Sequence, residues 1–464
     1  MNNKYFGTWA FYKRSLAIAV PIMLQLFIQN LVSLIDNFMV AGLGDVKMSG
    51  VNVAGQIIFL FMILVNTLCM SGGIFMSQFK GAGDQCGMQQ TFRFKLFLTG
   101  FFGIAFGLLC YIAPRGMFAL LLHNNTDAEA IIGQSVRYAR AVAPSWILMC
   151  ISQSIASSLR EVEIVRPPLV ISIIATLVNT FFNYVLIYGH FGAPRLEVAG
   201  AGYATVIARA VELILFLIYV NYKKPEFIFR IYTFFNINIP LGFKILRKSF
   251  LILVSELLWA FSETVATALY NTLGGAEVVS GMAGGFAICN LFFICFSGIV
   301  TATTVIVGQE LGAGHLEEAR RQKNWVLSGS FVFGCAFLIV GFLTTLLVPV
   351  VFGNLTEEAR AIARGVIIVG ASYLPLWAFL NAQYAISRAG GDVKMGAICD
   401  VAANIAYIGM MFALVMLTSL GPIAIYFYTK VTDFIKAGIA HWWLKKEKWV
   451  VNLAKASSAG MMPS

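Results

Sequence analysis

Charge is scarce in this chain. Only 12% of its 464 residues are Asp, Glu, Lys or Arg, while 59% are hydrophobic and the mean hydropathy is +0.80. A soluble domain carries about a quarter charged residues, so a soluble globular protein is excluded and an integral membrane protein indicated. Histidine is scarcer still: His123, His190, His315 and His441 lie far apart. The eight cysteines are scattered, mostly in apolar runs, and form no CxxC pair, which argues against a disulfide frame or a zinc site. No Ser/His/Asp set, HExxH or P-loop occurs. Neither an enzyme nor a nucleotide-driven pump is therefore expected, and no metal or organic cofactor.

What is present is length of apolar sequence. A spanning helix needs about 20 mostly apolar residues. Twelve runs qualify, centred near Phe27, Leu60, Gly103, Leu148, Ala175, Ala208, Phe261, Phe293, Phe333, Trp377, Ala406 and Thr432. They are continuous rather than alternating, which rules out a transmembrane barrel. The run after Arg14 has no small-x-small exit and reads as a first span that stays in place. With the N-terminus taken as cytoplasmic, 23 of the 33 basic residues fall in inner segments, seven in outer ones, and Arg209, Lys430 and Lys436 inside spans. This asymmetry predicts that both termini of a multi-pass membrane protein are cytoplasmic. The net charge of +11 is thus an orientation signal, and no nucleic-acid partner is expected.

The chain also repeats itself. "GLGDVKMSGVNVAGQI" at 42–57 has a counterpart in "TLGGAEVVSGMAGGFA" at 272–287, "FKGAGDQ" at 79–85 in "QELGAGHLEEA" at 309–319, and "SSLREVEIVRPP" at 157–168 in "AISRAGGDVKMG" at 385–396. The offsets are 230, 231 and 228 residues. An even number of spans per repeat gives both halves the same orientation, so the expected fold is all-α, twelve transmembrane helices in two parallel six-helix repeats. The expected divisions are an N-lobe at 1–222, a cytoplasmic linker at 223–248 and a C-lobe at 249–464. The linker is basic and amphipathic, which suits the inner membrane surface or a plain tether. In order and spacing, "LVSLIDNFMVAGLG", "MSQFKGAGD", "SSLREVEIVRPP", "LIYGHFGAPRLEVAGAGYAT" and "VIVGQELGAGHLEEA" resemble the multidrug and toxic compound extrusion (MATE) family across essentially the whole chain.

Asp36 interrupts the first run. An ionised acid near a bilayer centre costs about 2.5–3.5 kcal/mol on insertion scales, so it must face protein or water. Gln25, Gln29, Ser33 and Asp36 step by four, four and three residues, one polar stripe on the first helix. Asn179 and Asn183 share a face of the fifth helix, and Thr205 opens the sixth. Carboxylate, amide and hydroxyl oxygens suit a hard cation such as sodium. The resemblance implies that Asp36, Asn179, Asn183 and Thr205 form the cation site of the N-lobe, and that the first helix bends at Pro21. Some members carry an acid where this chain has Asn183, so sodium and proton both remain open as the coupling ion.

Glu256 and Glu263, seven apart with Thr267, Ser255 and Ser262 nearby, make a second acidic stripe on the seventh helix. Ala266 stands at the position that repeats Asp36, so the second half does not copy the first site. Gln25, Gln29, Gln56, Glu256 and Glu263 are expected to line a substrate cavity and attract positive compounds. Arg209 with Glu212, and Lys430 with Asp433 and Lys436, are spaced to pair along their own helices. The function implied is a cation-coupled antiporter exporting organic, often cationic amphipathic compounds by rocker-switch alternating access. Its expected partners are membrane lipid and small molecules, and it is expected to act as a monomer. A lipid-linked glycan flippase of related fold, or an exporter of one metabolite, is the alternative.

Overall fold

The computed structural model describes residues 4–122 and 127–458; His123 lies outside them. Among the described residues there is no β-strand. The principal helices are α1 (Trp9–Ala41), α2 (Asp45–Ala82), α3 (Gln85–Ile112), α4 (Ala128–Val142), α5 (Ser145–Glu161), α6 (Arg166–Tyr188) and α7 (Val198–Lys223). They continue with α8 (Ile239–Tyr270), α9 (Ala276–Ala313), α10 (Leu316–Thr344), α11 (Glu357–Ala389), α12 (Lys394–Leu417), α13 (Pro422–Lys430) and α14 (Thr432–Lys445).

Local chemistry sets these ends. Gly44 takes φ +101°, a conformation open to glycine, in the turn between α1 and α2. The Asp84 carboxylate accepts a hydrogen bond from Gly87 N at 2.8 Å and caps α3. Pro167 and Pro168 open α6, where missing N–H groups cost nothing, and Gly189 at φ +79° closes it. Thr356 caps α11, with Glu357 and Glu358 in its first turn and Arg388 in its last, each favourable to the helix dipole.

Ten of the described helices are long and apolar enough to cross a membrane, and α4 with α5 makes an eleventh if read as one span. That pair is bent by 55° at the break holding Pro144, whose ring cannot join the hydrogen-bond ladder. The run near Thr432 differs from its expectation: it is carried by the short helices α13 and α14. Lys430, Asp433 and Lys436 fall within one 18-residue stretch there, so its apolar character is diluted. Large apolar side chains such as Phe38, Phe101, Leu177, Ile214 and Ile405 are exposed on the spans, as lipid-facing surfaces require.

The chain divides into two compact units, one of residues 24–76 and 84–249, the other of residues 1–23, 77–83 and 250–464. Expected cuts at 222 and 249 thus meet a division that sends the start of α1 and the end of α2 to the second unit. Specific contacts within that unit explain it. Phe11 packs edge-on against Trp325, the Tyr12 hydroxyl donates to Trp325 O at 3.2 Å, and Arg14 donates to Gln309 Oε1 at 2.8 Å.

The end of α2 also crosses α9 at backbone contact. A Cβ on Gly81 would lie 1.9 Å from Gln309 O, and a Cβ on Gly312 would lie 1.9 Å from Gln78 O. Gly81 and Gly312 are one repeat apart, and so are Gln78 and Gln309. Gly81→Val or Gly312→Val is expected to cost about 3 kcal/mol, the upper end for a side chain forced into a packed interior. The readout is loss of monodisperse protein on size exclusion. Gly116→Ala, with nothing within 4 Å, should behave as wild type.

In the first unit an ion pair ties the start of α2 to the residue preceding α7: Lys47 Nζ lies 2.7 Å from Glu197, with Arg195 at 3.8 Å. The hydrogen bond from Lys47 holds the Glu197 carboxyl below its ordinary range. Its stabilisation is therefore present above the unfolded value of about 4.3 and declines as pH falls through the lowered one. Lys47→Ala should cost about 1 kcal/mol of stability or less at neutral pH, read as a small drop in thermal midpoint. That difference should vanish in acid.

Candidate functional site

In the first unit α1 and α6 bring three of the predicted residues together. Asn183 Nδ2 donates to Asp36 Oδ1 at 2.8 Å and to Asn179 Oδ1 at 3.3 Å, so one amide NH2 serves both neighbours. Asn183 is 3% exposed, and its buried carbonyl oxygen Oδ1 has no hydrogen-bond partner among the described residues. An acceptor left that way in a packed interior is costly unless something positive or protic meets it. Asp36 is only partly buried. The cluster thus offers a carboxylate, one engaged amide oxygen and one open amide oxygen on two adjoining helices.

The other predicted residues are placed differently. Thr205 on α7 donates its hydroxyl to Ala201 O at 3.0 Å, one turn back, and makes no hydrogen bond to Asp36 or either asparagine among the described residues. Its lone pairs stay available as acceptors. Gln25 is buried, and Gln29 Nε2 donates to Ser172 Oγ at 2.7 Å, joining the α1 stripe to α6. Gln56 is exposed on α2. Pro21 lies inside the continuous α1, two residues before the boundary between the compact units.

Two neighbours of the site escaped sequence reasoning. Ser172 precedes Asn179 by seven residues, so extending the α6 stripe by two turns would have found it. Tyr138 on α4 lies within electrostatic reach of both Asp36 and Arg209. No local pattern announces it, because α4 reads as an outer segment. Arg209 pairs with Glu212 at 2.8 Å along α7, as their spacing predicts.

A buried charged cluster lies elsewhere in this unit, on α3 and α5. Lys95 Nζ, with a fully buried side chain, donates to Ser157 Oγ at 2.7 Å, Ser158 Oγ at 3.0 Å and Glu161 Oε2 at 3.0 Å. Gly72 and Gly73 of α2 make room for it: a Cβ on Gly73 would stand 2.1 Å from Glu161 Oε1.

In the second unit the acids of α8 have resident partners. Arg388 lies 3.4 Å from Glu256 and Lys430 lies 3.5 Å from Glu263. The Lys430 ammonium also sits over the rings of Tyr407 at 4.8 Å, Tyr426 at 5.5 Å and Trp377 at 5.9 Å. Lys436 pairs with Asp400 at 2.8 Å, and Asp433 accepts from Trp377 Nε1 at 2.8 Å. Pairing along one helix, expected for Lys430, Asp433 and Lys436, therefore gives way to contacts across helices. Both α8 ion pairs are long for charge-assisted bonds of about 2.7–2.9 Å. The Glu256 and Glu263 side chains are 33% and 40% exposed. Among the described residues no three His, Cys, Asp or Glu side chains gather as a metal site.

Stacked apolar spans with a carboxylate and two amides meeting inside one of two compact units define a multi-pass membrane protein. The chain belongs to the MatE family: the family's sequence model matches residues 21–185 and again 252–415, once in each half. It is 26% identical over 365 residues to a probable multidrug resistance protein NorM of Rhizobium meliloti (strain 1021), covering 75% of this chain and 73% of that one. It is 24% identical over 338 residues to the probable multidrug resistance protein NorM of Thermotoga maritima, covering 71% and 70%. Its fold matches, with a TM-score of 0.82 at 18% identity, a structure described as the outward-facing conformation of a multidrug resistance MATE family transporter of the MOP superfamily; 94% of this chain and 95% of that one are covered.

Proposed function

We propose that this protein is a cation-coupled antiporter that exports organic, often cationic amphipathic compounds, exchanging them for Na+ or H+ by rocker-switch alternating access. The observation that carries the coupling is the Asp36–Asn183–Asn179 cluster with its unpartnered Asn183 Oδ1. A sodium ion there would trade water for the Asp36 carboxylate and the two amide oxygens, with Thr205 as a further candidate ligand. A proton would instead neutralise Asp36. Export of varied compounds is supported by the names of the NorM relatives, and Glu256 and Glu263 are the acids that would attract positive ones.

The family match recurs at an offset of 231 residues at its start and 230 at its end, the interval kept by the loop motifs. That supports two six-helix halves, with α13 and α14 together as the twelfth span. Lysine and arginine asymmetry supports cytoplasmic termini in the inner membrane, and the chain is taken to work as a monomer. The test is efflux of a fluorescent cation from vesicles under a sodium gradient and a pH gradient imposed separately. Acceleration by one gradient identifies the ion; response to neither overturns the antiporter reading.

A further inference from the structure

The segment between α7 and α8 turns its polar contacts inward and its apolar side chains outward. Gln89 Nε2 donates to Ile228 O at 2.9 Å, Arg93 donates to Asn236 O at 3.1 Å and Thr233 Oγ1 at 2.9 Å, and Asn238 N donates to Gln90 Oε1 at 2.9 Å. Phe227 is fully buried against Phe92, and the Arg93 guanidinium lies over the Phe229 ring. These contacts fix the segment to α3. Yet Ile231 is 83% exposed, Tyr232 73% and Phe235 82%, and in the first turns of α8 Ile239 is 78% and Phe243 67% exposed. A tether hanging in water would leave Ile231, Tyr232 and Phe235 in a costly place.

Both helices that the segment joins are apolar spans, α7 ending at Lys223 and α8 beginning at Ile239. The segment therefore lies where those spans leave the membrane, continuous with their lipid-facing surfaces. Basic residues bracket the apolar ones, with Lys223, Lys224 and Arg230 before and Lys244, Arg247 and Lys248 after; Glu226 is the one acid within 223–248. We propose that residues 223–248 form a binding surface for anionic phospholipid, with Ile231, Tyr232, Phe235, Ile239 and Phe243 inserted at the headgroup level and the flanking bases on the lipid phosphates. Apolar insertion and anionic charge each contribute to such interfacial binding, and here basic residues flank the apolar ones at both ends. This inference does not depend on the coupling ion or on the exported compound.

The experiment compares full-length protein purified from mixed phosphatidylglycerol and phosphatidylcholine, with retained lipid counted by native mass spectrometry. Wild type should retain phosphatidylglycerol preferentially. Lys223→Gln with Lys224→Gln and Arg230→Gln should reduce that preference at least about fivefold, the effect of losing one basic residue near an anionic surface. An unchanged ratio overturns the proposal. A nitroxide at Phe235→Cys, in a background with Cys86→Ser, should be reached by oxygen rather than by a water-soluble relaxant in vesicles. A water-exposed label overturns the insertion, as does a label shielded only in native membranes, which would assign the surface to a protein.

Discussion

Asp36→Asn is expected to reduce gradient-driven efflux to the background of empty vesicles, a loss of well over tenfold, while the protein still folds. Asparagine keeps the shape of the side chain and a carbonyl oxygen that can accept from Asn183 Nδ2, the 2.8 Å contact seen here. What it removes is the charge. On the proposed coupling, a sodium ion would then be left with amide and hydroxyl oxygens alone, and a proton would have no carboxylate to neutralise. Wild-type efflux in this variant, at matched expression and thermal midpoint, would show that coupling lies elsewhere.

Lys95→Met should have the largest effect on stability, about 3–5 kcal/mol, because it leaves the buried Glu161 carboxylate without the cation bonded to it, with only the weaker attraction of Arg160 remaining. Ser157 and Ser158 lose their shared donor at the same time. Restoring neutrality with a second change, Glu161→Gln, should recover much of the loss, since an uncharged pair carries no unpaired ion. The measurement is the thermal midpoint of the two single variants and the double. Additive losses would mean that Lys95 and Glu161 act independently, contrary to the 3.0 Å contact.

The α1 site was largely legible in the sequence because its information is local. A polar stripe at helical spacing and two asparagines four apart each specify one helix face, and packing α1 on α6 then brings Asp36 to Asn183. The second unit was not legible in this way. Spacing offers Lys430 the neighbour Asp433, whereas the structure gives it Glu263, 167 residues away. Which interior charge finds which partner is decided by helix packing, and no local period encodes that. The bend between α4 and α5 was hidden for a related reason. Arg137 and Arg140 count among the seven bases assigned to outer segments, which sets α4 outside the span near Leu148, although Pro144 marks the break.

The glycine crossing of α2 with α9 is reciprocal. Gly81 meets Gln309 while Gly312 meets Gln78, so each partner makes the contact that the other makes. Such reciprocity defines an isologous association. A side chain added at either glycine would therefore pry open the same seam from opposite sides.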